Sequence, residues 1–232
     1  MLRKYVTSMN VEQFEKYGEK MLRTFSQYWP KGKIEVYTEE GELPLKDERV
    51  EYKLLYEVPG LAYFLEGVQH FPIFRGDSRG EYNYRFNVNA FARKAFAQMA
   101  SAQNWSGHLF WLDADTVTTK HIPGIFLDKT LEGFFMAYMK RKTWHVCSSF
   151  VGWDCGHAFS RPWWENYQFV YASGGIFTLP QWDDAYVLEK VCEGIPNIRD
   201  LGETITGEGP YNVFDYVFQG YAHHLKGNLK HA

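Results

Sequence analysis

The sequence predicts an α/β fold: one domain whose sheet begins parallel and is flanked by helices. Three observations carry this. The chain opens strand–helix–strand, the pattern of a parallel sheet. Further on, an amphipathic helix runs into an unbroken apolar stretch, GHLFWLDAD (107–115), and such stretches form strands buried on both faces. No repeat, low-complexity tract or linker divides residues 1–232.

Taken in order, KYVTS (4–8) reads as the first strand. In EQFEKYGEKMLRTFSQYWP (12–30), apolar residues fall at Phe14, Tyr17, Met21, Leu22 and Phe25. That spacing is helical, and Pro30 ends the helix. KIEVYTEE (33–40) is the second strand. Residues 41–80 are rich in Gly, Pro and charge and are expected to be irregular, apart from a short helix at LAYFLEGV (61–68). NVNAFARKAFAQMASAQ (87–103) is a strong helix, capped by Asn87 or Asn89. The aromatic-rich stretch 132–182 shows no clear period. WDDAYVLEKVCEG (182–194) reads as a helix ending at Gly194.

Composition narrows the function. Hydrophobic residues make up 45% and charged residues 23%, ordinary globular usage, whereas aromatics reach 18%. A net charge of −3 gives no basis for broad nucleic-acid binding, which rests on a basic domain. A local basic groove remains open, and Lys140, Arg141, Lys142 and Arg161 would suit it. Cys147, Cys155 and Cys192 fit no zinc or disulfide framework. No apolar run approaches the ~20 residues of a membrane helix. The opening MLRKYVTSMN lacks the apolar core of a signal peptide. A reduced, cytoplasmic protein with no membrane span is expected.

The chemistry concentrates in LFWLDADT (109–116). Asp113 and Asp115 stand two apart, so a strand turns both to one side. They end the strand, where ligands of open α/β sheets bind. Two such carboxylates repel unless a cation joins them, and oxygen ligands suit Mg²⁺ or Mn²⁺. The plainer alternative is a solvated turn in which an Asp caps the next segment. Two enzyme classes place D-x-D after a buried strand. One is the metal-dependent nucleotide-sugar glycosyltransferases. The other is the haloacid-dehalogenase-type phosphatases, whose motif follows the first strand. Here a β-α-β unit precedes it, and Lys190 and Asp183–Asp184 stand in the wrong order for the phosphatase's later motifs.

The tail His224-Leu-Lys-Gly227-Asn-Leu-Lys230 spells H-x-x-G-x-x-K. With the D-x-D, it resembles the family 8 glycosyltransferases, the glycogenin and galactosyltransferase group, in the short form found in phages and bacteria. That resemblance implies a GT-A fold: a Rossmann-like nucleotide-diphospho-sugar transferase domain with a central mixed sheet flanked by helices. It implies that His224 joins Asp113 and Asp115 on Mn²⁺ (or Mg²⁺), and that Gly227 and Lys230 hold the diphosphate. Imidazole is a common metal ligand, Gly lets backbone approach phosphate, and Lys binds phosphate as a point charge. Phe91-Ala-Arg-Lys94 resembles the family's F-[ST]-K-L and implies Lys94 at the donor phosphate or sugar. DADTVTTKHIPGIF (113–126) resembles its D-x-D segment and implies Asp113 and Ala114 against the nucleotide-sugar. YVTSMN, then Gly18 and Leu22, resembles its opening. This implies Thr7 and Asn10 at the nucleobase, with Phe14 or Tyr17 stacking on it. The family's N-S-G step is replaced by SSFVGWD (148–154), and its D-Q-x-x-L-N by WDDAYVLEK. Asp154, Asp183 and Asp184 are therefore the candidate catalytic residues, orienting the sugar or stabilising an oxocarbenium-like centre.

The expected activity is transfer of a hexosyl or pentosyl group from a UDP-sugar to an acceptor hydroxyl, with retention. Residues 1–115 would form the nucleotide-binding half and 116–232 the acceptor-binding half. The acceptor is left open among glycan, protein and small molecule. For a phage-encoded chain working in the host cytoplasm, a hydroxymethylated DNA base joins them. The phosphatase and a non-catalytic nucleotide-sugar binding module are the alternatives. The aromatic block (Trp144, Trp153, Trp163, Trp164, Tyr167, Trp182) is expected to be mostly core, with one or two rings lining an acceptor groove.

Overall fold

A computed structural model describes residues 1–78 and 80–225. A seven-stranded sheet forms its centre. The N-terminal half supplies β1 (Arg3–Ser8), helix α1 (11–28), β2 (Lys33–Thr38) and β3 (Val50–Leu54). Helices α2 (Leu61–Val68) and α3 (Val88–Ala102) and strand β4 (His108–Leu112) follow. β3, β2, β1 and β4 lie side by side and are all parallel. β3 falls in the stretch expected to be irregular. Its sequence VEYKL is half-exposed along its length, as befits a sheet edge, so it carries no apolar run to announce it.

The second half contributes β5 (Thr116–Thr118), α4 (Gly124–Leu131), β6 (Met136–Met139), β7 (Cys147–Asp154) and α5 (Ser160–Ala172). It closes with α6 (Asp184–Val191), β8 (Ile198–Asp200), α7 (Val213–Tyr216) and β9 (Ala222–His224). β7 runs antiparallel to both β4 and β6. The full order β8-β6-β7-β4-β1-β2-β3 is therefore mixed, as the expected fold requires.

Hydrophobic residues fill both faces of the sheet. Along β4, Phe110 and Leu112 join a cluster with Tyr5, Phe25 and Trp29, while Leu109 and Trp111 join one with Phe96 and Trp153. This period-two alternation sends Trp111, and then Asp113, toward the α3 face. Most of the aromatic block is core, with Trp153, Trp163 and Tyr167 buried, but Trp144 is 42% exposed. Among the described residues no helix is long and apolar enough to cross a membrane.

Two departures from regular structure shape the sheet's C-terminal edge. α1 passes through a π-turn at Phe14–Gly18, the kind of widened turn that is frequent at functional sites. A Cβ on Gly18 would sit 2.4 Å from Met9 Sδ. Then β9 returns from the far end of the chain to pair antiparallel with β5, placing His224 opposite Thr116.

Candidate active site

β4 ends at Leu112, so Asp113-Ala114-Asp115 forms the turn between β4 and β5 rather than the strand's last residues. The β9–β5 pairing delivers His224 to that turn, and the Leu225 amide donates to the Asp115 carbonyl at 2.8 Å. His224 Nε2 lies 2.9 Å from Asp115 Oδ1 and 3.6 Å from Asp113 Oδ2. One ligand atom from each of the three residues lies within 4.8 Å of the others. Two carboxylates and an imidazole form a donor set that Mn²⁺ accepts, so these residues fit the expected metal.

Asp113 is held from behind. Its Oδ1 accepts from Trp111 Nε1 at 2.7 Å and from Lys94 Nζ at 2.8 Å. Lys94 comes from α3, reaches Asp184 Oδ2 at 2.6 Å, donates to the Ser148 carbonyl at 2.9 Å and lies over the Trp111 ring. Burial opposes each of these charges, but the ion pairs win. Lys94 titrates above its ordinary value because Asp113 and Asp184 face it. The Asp113 carboxyl is held far below the usual carboxylate range by Lys94 and His224. Against the same desolvation, hydrogen bonds to Asp113 and Asp115 push the His224 imidazole up to about 9.

Lys94, Trp111 and Asp113 line a cavity of about 660 Å³ beneath the π-turn. Asn10, Tyr17, Lys94, Asp113, Ala114 and Asp115 all face it, as does Asp184. Asn10 caps α1 through its bond from the Gln13 amide. Burial, with Asp115 and Asp113 nearby, pushes the Tyr17 phenol up to about 12. Sequence reasoning missed Trp111, although its place two residues before Asp113 on a strand was the signal for it. It also missed Arg75 and the Arg93–Glu39 ion pair on the cavity wall, for which no local signal exists.

Three expected residues stand elsewhere. Thr7 is fully buried inside β1 and does not line the cavity; Ser8 does. In a strand, neighbours face opposite ways, which turns Thr7 into the sheet. Asp154 pairs in register with His108, at the start of β4. Five residues at about 3.3 Å each put it roughly 16 Å from Asp113, at the wrong end of the strand for a sugar contact. Asp183 is the N-cap of α6, accepting from the Tyr186 amide. Burial and the adjacent Asp184 raise its carboxyl above the ordinary range. Of the three candidate catalytic carboxylates, only Asp184 lines this cavity with Asp113 and Asp115, and Lys94 bridges it to Asp113. Gly227 and Lys230 lie outside the described residues.

No protein-family model matches the chain, and no curated protein matches it in sequence. Solved structures match it in fold. Mouse xyloside xylosyltransferase 1 in its apo form is similar with a TM-score of 0.51 at 10% identity, over 86% of this chain and 85% of that one. The galactosyltransferase LgtC, solved with donor and acceptor sugar analogs, is similar with a TM-score of 0.53 at 8% identity, over 97% of this chain and 87% of that one. The chain therefore has the GT-A fold, a single α/β domain around a mixed sheet. The phosphatase alternative finds no support in these likenesses.

Proposed function

We propose that this chain is a metal-dependent glycosyltransferase that moves a hexosyl or pentosyl group from a UDP-sugar to an acceptor hydroxyl. The observation that carries the reading is the convergence of Asp113, Asp115 and His224, with both carboxylates on the wall of one cavity, in a GT-A fold. Those three residues would hold the Mn²⁺. A cation there supplies charge stabilisation for the departing diphosphate. Asn10 and Tyr17 face the space left for the nucleoside. Lys94 keeps Asp113 ionised and aimed, and Asp184 presents its carboxylate toward the sugar. Retention at the anomeric carbon is what the motif resemblance implies, and proton NMR of the first product reads it directly.

The test is UDP release from a panel of UDP-sugars with Mn²⁺ or EDTA, for wild type and Asp115→Ala. Slow hydrolysis of one donor, abolished by EDTA and by the substitution, is the expected result. Mn²⁺-dependent UDP binding without turnover on any donor or acceptor would reduce the chain to a binding module. Neither binding nor turnover would remove the metal–diphosphate reading.

A further inference from the structure

A second cavity, of about 1170 Å³, adjoins the first and shares Phe91, Ser148 and Asp184 with it. One wall is the loop 140–146 between β6 and β7; the turn before α3 brings Tyr84 and Arg85 to the other. Its charges are unevenly matched. The carboxylates are engaged: Asp184 with Lys94, Glu189 with His145, Glu193 with Lys190, and Asp183 as the cap of α6. The cations are not. Among the described residues no carboxylate oxygen lies within 4.0 Å of the side-chain nitrogens of Arg85, Lys140, Arg141 or Lys142; Asp200 accepts from the Lys140 backbone amide alone.

Two of these cations serve the fold without losing their charge. Among the described residues Arg141 donates only to backbone carbonyls, those of His145, Val146 and Tyr211. Lys142 donates to the Thr206 carbonyl at 2.7 Å. Lys140 and Arg85 line the cavity and are exposed, and neither side chain makes a hydrogen bond or ion pair among the described residues. Trp144 and Tyr84 line the same space at 42% and 47% exposure and offer flat faces to a ring.

We propose that this cavity receives the acceptor and that the acceptor is a phosphorylated sugar, its ring against Trp144 or Tyr84 and its phosphate between Lys140 and Arg85. The proposal rests on the glycosyltransferase reading for the neighbouring cavity. In the transfer the acceptor's hydroxyl oxygen bonds to the anomeric carbon as the bond from that carbon to the UDP oxygen breaks. The electron pair leaves on UDP, the hydroxyl proton passes to solvent, and the acceptor's phosphate is unchanged. A nucleic-acid strand fits less well. Its affinity is built on phosphate neutralisation along a basic track, whereas these cations converge on one chamber in a chain of net charge −3.

Calorimetry with the intact chain, without donor, tests this. The ligands are glucose 6-phosphate, galactose 6-phosphate and mannose 6-phosphate, their neutral parents, and a short oligothymidylate. At least one phosphosugar should bind about tenfold or more tighter than its parent, with an advantage that shrinks as salt is added. Arg85→Gln/Lys140→Gln, checked for wild-type melting, should lose about that factor. If the pair misfolds, each single substitution should lose part of it. Equal affinity for phosphorylated and neutral sugars, no binding of any phosphosugar, or tighter binding of the oligothymidylate than of every phosphosugar overturns the proposal. Titration of UDP with Mn²⁺ in parallel separates the two readings. UDP binding without phosphosugar binding removes the acceptor proposal alone; phosphosugar binding without UDP binding removes the donor reading and with it the acceptor role, leaving a phosphosugar-binding cavity.

Discussion

Trp111 governs which oxygen of Asp113 is available. Its indole and the Lys94 ammonium occupy Oδ1, which leaves Oδ2 turned toward His224. Such partners behind a ligand fix its orientation, and their loss weakens metal binding about 10–100-fold. Trp111→Phe keeps an aromatic ring but removes the donor. Mn²⁺ affinity, read by electron paramagnetic resonance in the presence of UDP, should fall about tenfold with the fold retained; an unchanged affinity would remove Trp111 from this role. Lys94 carries a heavier duty because Asp113 and Asp184 both depend on it. Lys94→Met leaves two largely buried carboxylates facing each other, and urea unfolding should show a loss of about 3–5 kcal/mol. The meeting of Asp113, Asp115 and His224 was legible in the sequence, the aspartates from residue type and spacing and His224 from the motif that its segment resembles. Thr7 and Asp154 were misplaced because motif likeness along a chain does not say which face, or which end, of a strand a side chain occupies.

At the scale of elements, joints between neighbours hold the frame that positions the site. Gly32, between α1 and β2, has φ +147°, and a Cβ there would lie 2.7 Å from the Arg3 carbonyl oxygen. Gly32→Ala should cost about 1–3 kcal/mol, since a backbone that L residues rarely adopt coincides with a backbone clash. On the other side, Arg3 of β1 grips Asp128 of α4 with bonds of 3.0 and 2.6 Å. Partial burial pushes the Asp128 carboxyl up, but Arg3 prevails and holds it below the ordinary 3.8. A carboxyl whose folded pKa is depressed stabilises the fold above its unfolded pKa, and that contribution is lost as pH falls through the folded value. Melting temperature should therefore drop below about pH 4, and less steeply in Asp128→Asn; identical acid limbs for the two proteins would refute the assignment. The strand–helix–strand opening and β4 were readable because their apolar periods are strong. β3 was not, nor was the antiparallel insertion of β7, because an edge strand's pattern is weak and strand pairing is set by distant segments.

In the whole molecule, the β-α-β half supplies Asn10, Tyr17 and Lys94 to the cavities, while the C-terminal half supplies Asp184 and the loop 140–146 and brings His224 to Asp113 and Asp115. The two halves meet across β4 and β7, whose antiparallel register brings Ser148 and Ser149 beside Asp113. Asp184 stands at that junction, facing both cavities while its neighbour Asp183 caps the helix behind it. The two carboxylates, inseparable in the sequence, should therefore part in kinetics. Asp184→Asn keeps the volume and removes the charge that the proposed function turns toward the sugar. Lys94 still has Asp113, so the fold and Mn²⁺-dependent UDP binding should survive. Turnover should fall about 100-fold, or roughly 2.7 kcal/mol of transition-state stabilisation. Asp183→Asn should change turnover less than about threefold, because Asn caps a helix as well as Asp does. Both variants would be measured for UDP release and for UDP binding on one preparation. Equal losses of turnover in the two would mean that α6 acts through its position alone, and Asp184 would lose its place as the group that meets the sugar.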